Sequence, residues 1–352
     1  MITTDPDHLA HDWAALTAAE PHLRIRDAAS RLGVAEAQLL ATRCGTHATR
    51  LTGHWPDLLN LLHDQPPAMA LTRNASCVLE LKGRYPRVET FGPVGQGVGE
   101  PIDLRYFFSH WAKGFALSEE VDGKLRHSLQ FFDAEGEAVH KVYFLDAEAL
   151  PRVEFERLIA PHVASDQGRS EAIEPAASEP VVTPDPAQQQ AFLAAWANME
   201  SPHDYAGLLR GFGLSRLQAL AWAEGTYAQR QPRATVRAVL EAARDSQVPI
   251  MIFVGNKGCL QIYSGVVTQL AERGPWFNVL DPQVNLHLLE PEIAECWLVR
   301  RPLGSDFVHA VEAYRADGLH LLTLYGQRKA QDVELPQWRA LLEGISGLRA
   351  LA

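Results

Sequence analysis

The residues that invite a chemical reading are His203, Arg216 and Arg105. His203 stands in Glu-Ser-Pro-His-Asp-Tyr, just after Pro202 and ahead of a leucine-rich helical run. A neutral imidazole is a strong donor to a metal and a proton acceptor near neutral pH. A guanidinium is a planar fork that pairs with a carboxylate through two hydrogen bonds. Each residue also has an ordinary explanation, as a helix-start histidine or a solvated surface charge. A comparison internal to the chain sets them apart: His203 aligns with Leu23, Arg216 with Glu36 and Arg105 with His287. A duplicated fold keeps its core and diverges at its site, so these positions are the first candidates. Other patterns are missing. There is no GxSxG elbow, P-loop, HExxH or strand–GxGxxG–helix, and the 14 histidines include no HxH or HxxxH pair. A site assembled from histidines of separate segments stays open, with nothing local to support it. The glycine-rich stretch GPVGQGVGEP at 92–101 precedes no helix and is expected to be a flexible loop, not a phosphate cradle.

The elements that position these residues follow from the duplication. Asn74-Ala-Ser-Cys77 corresponds to Asn256-Lys-Gly-Cys259, Gly83 to Gly265, and Ile102-Asp-Leu-Arg105 to Val284-Asn-Leu-His287. Phe131-Phe-Asp-Ala-Glu-Gly136 corresponds to Ala313-Tyr-Arg-Ala-Asp-Gly318, and Tyr143 to Tyr325, all of them 182 positions apart. Upstream, LGVAEAQLLA at 32–41 matches FGLSRLQALA at 212–221, 180 positions on. A register shared over that length is hard to obtain from two unrelated domains. In DYAGLLRGFGL, Tyr205, Leu208, Leu209 and Phe212 fall on one helical face, Gly213 ends the helix, and Ser215 caps a second helix that runs to Gly225. Alternating runs follow in each half, among them AMALTR, CVLELKG and HSLQFFDAEGEAVHKVYFLD, then PIMIFVG, CLQIYSG and HAVEAYRADGLHLLTLYG. Strands joined by hairpins predict antiparallel sheets. The expected fold is α+β: two tandem repeats, each a helical hairpin packed on a large antiparallel β-sheet. The repeats are placed at 1–162 and 191–352, the latter carrying the histidine. Residues 163–190, rich in Pro, Ala, Ser and Glu, are expected to form an exposed linker.

Composition narrows the classes. The chain has 352 residues, 47% hydrophobic and 21% charged, enough for two domains with cores. With 32 basic against 43 acidic residues the formal charge is −11, which argues against nucleic acid or an anionic membrane as main partner. Cys44, Cys77, Cys259 and Cys296 show no CxxC spacing and fit reduced thiols. The start MITTDPDHLAHDW lacks an apolar run, and no window approaches the roughly 20 apolar residues of a membrane span. A soluble, cytoplasmic protein is expected. Residues 24–43, RIRDAASRLGVAEAQLLATR, look like a helix-turn-helix. The acidic charge and the recurrence of the same unit beside His203 favour a structural hairpin.

Four segments, PHDYAGLL at His203, IDLRYFFSHW with AKGFAL at Arg105, ECWLVRRP at 295–302 and LYGQR ending at Arg328, taken with the repeat, give the chain a family resemblance. It resembles the cytoplasmic haem-binding proteins of bacterial haem-uptake systems, the hemin-degrading factors, over nearly its whole length. The resemblance implies haem b as ligand or substrate. It makes His203 the axial iron ligand, Arg105 a distal-side residue, and Arg216, Arg301 and Arg328 propionate and pocket contacts. At the position of Arg301 the family more often has lysine, so the charge is kept. Haem is a flat apolar disc with two carboxylates, so it needs one axial donor, apolar walls and cations. Gly207, one turn after His203, would admit the porphyrin edge, and haem would lie between the halves. The function this implies is sequestering imported haem and handing it on, with an importer or a haem oxygenase as partner. The alternatives are oxidative opening of the ring with O2 and a reductant, and a haem-responsive DNA-binding regulator using residues 24–43.

Overall fold

In a computed structural model describing residues 5–121, 123–146, 148–175, 185–329 and 332–345, the chain divides into two units. One comprises Met1–Arg73, Glu80–Ser178 and Gly255–Gln261; the other comprises Asn74–Leu79, Glu179–Val254 and Ile262–Ala352.

In the first unit, α1 (Pro6–Ala19), α2 (Ile25–Leu32) and α3 (Glu36–Ala41) lead into β1 (Ala48–Leu51), α4 (Trp55–Leu61) and β2 (Ala68–Arg73). After β3 (Cys77–Gly83), through which the division passes, come β4 (Glu89–Phe91), β5 (Val94–Gly97), β6 (Asp103–Phe107), β7 (Lys113–Val121), β8 (Lys124–Phe132), β9 (Ala138–Phe144) and α5 (Arg152–Ile159). Antiparallel pairing runs β1-β7-β8-β9-β2 and, separately, β4-β5-β6.

The second unit repeats this order. Helices α6 (Pro186–Ala197), α7 (Tyr205–Phe212) and α8 (Arg216–Trp222) precede β10 (Ala228–Gln231), α9 (Thr235–Ser246) and β11 (Ile250–Gly255). Then follow β12 (Cys259–Gly265), likewise crossed by the division, β13 (Leu270–Arg273), β14 (Trp276–Leu280), β15 (Val284–Leu289), β16 (Glu295–Leu303), β17 (Asp306–Tyr314), β18 (His320–Gly326) and α10 (Pro336–Gly344). The pairings are β10-β16-β17-β18-β11 and β13-β14-β15. The duplicated α+β architecture is thus present strand for strand.

Local chemistry explains the match. β2 and β11 each alternate buried and half-buried residues, the period-two signature of a strand. Gly33 (φ 68°) ends α2 and Gly213 (φ 63°) ends α7, both in the left-handed region where a Cβ costs energy. Oδ1 of Asn74 accepts the N–H groups of Ser76 (3.1 Å) and Cys77 (2.9 Å). Oδ1 of Asn256 accepts those of Gly258 and Cys259 (both 2.9 Å). Their Nδ2 atoms donate to the Leu321 and Val139 carbonyls, each at 2.8 Å. A partly or fully buried amide is retained where its donors and acceptors are all satisfied.

One expectation needs correction and another gains detail. The stretch 92–101 is not simply a loop, because Val94–Gly97 forms β5. A Cβ on Gly95 would meet Phe108 at 2.7 Å, and one on Gly97 would meet Pro86 at 3.0 Å. Glycine is used there for close packing, which erases the alternation that betrays a strand. The stretch expected as an exposed linker, 163–190, has no buried residue over 163–175, yet it is held to the protein surface. Its first part straps the first unit: Val163 bridges Leu51, Gln167 exchanges hydrogen bonds with the Arg50 backbone, and the Glu171 carboxylate meets Arg50 and Lys113. Hydrogen bonds and ion pairs hold this strap, so its polar composition conceals it. Its last part opens α6 with Asp185 as N-cap, and residues 176–184 lie outside those described.

Candidate functional site

His203 is presented by a short, well-capped turn. Pro202–Asp204 forms one 3-10 turn, and the Ser201 hydroxyl accepts the His203 N–H at 3.3 Å. The Asp204 carboxylate accepts the N–H groups of Glu200 and Ser201, both at 3.0 Å. With the backbone pinned on both sides, His203 is left exposed at the start of α7. Gly207 and Gly211 continue its face at i+4 and i+8. Both are exposed, and a Cβ at either would meet nothing within 4 Å. The opposite side is anchored: Tyr205 is 3% exposed and packs with Phe192, Trp196 and Leu220, with Leu208, Leu209 and Phe212 partly buried against the same cluster. Glycine in a helix costs roughly 0.5–1 kcal/mol against alanine, so two glycines on an open face carry a local penalty that packing does not explain.

Under Tyr205 lies a charged cluster. Arg216 opens α8, whose N-cap Ser215 accepts from the Gln218 N–H while Gln218 accepts from the Ser215 N–H. Its guanidinium stands 5.6 Å from the Tyr205 ring centre. Arg301, from β16, stands 4.2 Å from the same ring, so Arg216 and Arg301 meet at Tyr205. The structure places Arg301 beneath α7 and not on an open surface: it is 2% exposed, ion-paired with Glu312 at 2.5 Å and hydrogen-bonded to the Tyr325 hydroxyl at 2.9 Å. Burial alone would raise the Glu312 carboxyl, yet Arg301 and Arg216 outweigh it and hold it down at about 2. The Tyr314 hydroxyl also donates to this carboxylate. Burial, reinforced by Arg216, lowers His320 to about 4 and keeps it neutral. Burial pushes the Tyr205 phenol up to about 12 despite Arg301.

The remaining candidates belong to other elements. Arg328, after β18, donates to the carbonyls of Lys329 (3.0 Å) and Asp332 (3.1 Å), and burial lowers its pKa. Arg105 belongs to the first unit, on β6; its guanidinium pairs with Asp103 and donates to the Leu104 carbonyl at 3.0 Å. Every residue of α3 is buried, in keeping with the structural hairpin favoured for residues 24–43 over a helix that enters a DNA groove. Glu312, Tyr314 and His320 were missed from the sequence. The repeat marks all three, because their partners 182 positions back are Gln130, Phe132 and Ala138.

Comparisons with known proteins identify the family. The model of the Haemin-degrading HemS.ChuX domain matches twice, over residues 33–161 and 213–345. The hemin transport protein HemS of Yersinia enterocolitica is 36% identical over 315 residues, covering 89% of this chain and 90% of that protein. Holo-PhuS, a heme-binding protein from Pseudomonas aeruginosa, superposes with a TM-score of 0.92 at 40% identity, over 98% of this chain and 100% of that one. The heme degrading enzyme ChuS of Escherichia coli O157:H7 gives 0.87 at 29% identity, over 97% and 99%; a ChuS structure is also described as a heme oxygenase. The chain belongs to the HemS/ChuX haemin-degrading domain family.

Proposed function

We propose that this protein binds haem b with the His203 imidazole as axial ligand, takes it up in the cytoplasm after import, and holds it for transfer to an iron-releasing partner such as a haem oxygenase. The observation that carries this reading is the open face of α7, where an exposed histidine is followed by two glycines with empty space above them. A flat apolar ligand with one axial donor suits that face. Gly207 lets the ring approach the helix backbone, and Arg216 supplies a cation for a propionate. Arg301 acts from beneath, holding the base of α7 through Tyr205. Arg328 is assigned to the pocket rim, and Arg105 to the distal side, on the family segments alone. Bound haem would supply an iron centre able to react with O2; the chain's own part is to ligate, orient and neutralise it.

Titration of the purified protein with hemin tests this. A saturable Soret band that is weakened and spectrally altered in His203→Ala supports the axial assignment, and an identical spectrum in that variant rejects it. Ring opening is the second reading, favoured by the naming of the ChuS relative as a heme oxygenase. Anaerobic loading followed by O2 and ascorbate in the presence of catalase decides it. Soret loss with a defined tetrapyrrole product supports enzymatic cleavage; protection of the Soret band by catalase leaves only free peroxide as the agent.

A further inference from the structure

The charged cluster under Tyr205 does not balance. Two guanidiniums, Arg216 and Arg301, share one buried carboxylate, Glu312, and that carboxylate is ion-paired with Arg301. Among the described residues no carboxylate lies within ion-pairing distance of Arg216, which faces the Tyr205 ring and is exposed. The first unit solves the same place differently. There the counterpart of Arg216 is Glu36, buried and ion-paired with Lys141, and the counterpart of Glu312 is the neutral Gln130. Buried charges are costly unless paired, so Glu36 keeps Lys141 and Glu312 keeps Arg301, while the exposed Arg216, whose charge is solvated, stays available to a ligand.

We propose that Glu312 determines specificity at this cluster: by engaging Arg301 it leaves a single cation, Arg216, and fixes at one the number of ligand carboxylates taken up there. The inference rests on the haem-binding reading. It assigns Glu312 no contact with the ligand. Removing its charge would turn Arg301 into a second unpaired guanidinium and strengthen the demand for anionic groups on the ligand. The repeat supplies a variant that changes the same balance without touching Glu312. Thr323 faces Glu312 across the β17–β18 pair, and its counterpart in the first unit is Lys141. Thr323→Lys would give Glu312 a second cationic partner and raise the cluster's charge in the same direction.

The test is titration with ferric protoporphyrin IX and with its dimethyl ester, reading the ratio of the two dissociation constants and checking folding by thermal melting. Wild type should prefer the diacid, and Arg216→Gln should bring the ratio close to one. Glu312→Gln and Thr323→Lys should each raise the preference about tenfold, the scale of one partly buried charge pair, whereas Glu312→Asp should keep the wild-type ratio. If Glu312→Gln fails to fold, Thr323→Lys decides. A ratio unchanged from wild type in the folded variants overturns the role of Glu312 while haem binding stands. A wild type that forms no Soret complex overturns both.

Discussion

The two helical hairpins share a fold and differ in what their outer faces present. In the second unit the face of α7 carries His203, Gly207 and Gly211; 180 positions earlier the same face of α2 carries Leu23, Asp27 and Arg31. Leu23 packs partly buried against Trp13, Ala28 and Leu39, and Arg31 reaches back to pair with Glu20. That hairpin is finished by its own side chains. The second has a donor, bare backbone and an unbalanced arginine at the same positions. Beneath each hairpin a buried ion pair joins different elements: Glu36 of α3 to Lys141 of β9 in the first unit, and Arg301 of β16 to Glu312 of β17 in the second. Duplication therefore conserves the scaffold, while the charges under the hairpin change at matched positions, Glu36 against Arg216 and Gln130 against Glu312.

The largest effect expected on this comparison is on stability. Truncating one partner of a buried pair strands the other charge and costs about 3–5 kcal/mol, so Lys141→Ala and Glu312→Ala should each lower the denaturation midpoint by that equivalent. Hemin should recover part of the loss in Glu312→Ala, where a ligand carboxylate can meet the stranded arginines, and little in Lys141→Ala. Equal recovery in both would erase the distinction between the repeats. Next comes His203→Ala, which should weaken hemin binding by at least about tenfold, or more than about 1.4 kcal/mol. Leu23→Ala should leave the Soret titration where it was.

The helical hairpins and the antiparallel strands of each repeat were legible in the sequence because each has a periodic or paired signal: Tyr205, Leu208, Leu209 and Phe212 on one helical face, Gly33 and Gly213 at matching ends, Asn74 and Asn256 at matching turns. β5 was not legible, since Gly95 and Gly97 occupy the positions where alternation would have shown. Nor was the strap at 163–175, which is held by Arg50, Gln167 and Glu171 through polar contacts that composition scores as solvent-loving. Arg301 was legible as a charge but not as a buried one, because its partner Glu312 lies on the next strand and only the folded register brings them together.

A graded effect separates the units by pH. His140 in the first unit is enclosed by Tyr85 and Thr72, each at 3.0 Å, and burial lowers it to about 3; His320 in the second is lowered to about 4. Both titrate near 6.5 when unfolded. The unfolded chain therefore binds protons that the folded chain refuses, and stability falls as pH drops below about 6.5. Each histidine contributes about 1.4 kcal/mol per pH unit until its folded value is reached. His320→Gln should reduce the slope between 6.5 and about 4 while leaving the His140 contribution down to about 3. A slope identical to wild type would mean that His320 is already protonated in the folded protein.

The smallest effect isolates the open face itself. Gly207 lies inside α7, and a methyl group added there would meet nothing within 4 Å. Gly207→Ala should therefore stabilise the ligand-free protein by about 0.5–1 kcal/mol through helix propensity alone. If the bare backbone exists for a flat ligand, the same substitution must weaken hemin binding even as the melting temperature rises. Gly207→Asp, which installs the first unit's residue, should weaken binding further by setting a carboxylate against the ring. A glycine kept only by chance would show the gain in stability with no loss of affinity, and the bare backbone at Gly207 would then carry no part of the difference between α7 and α2.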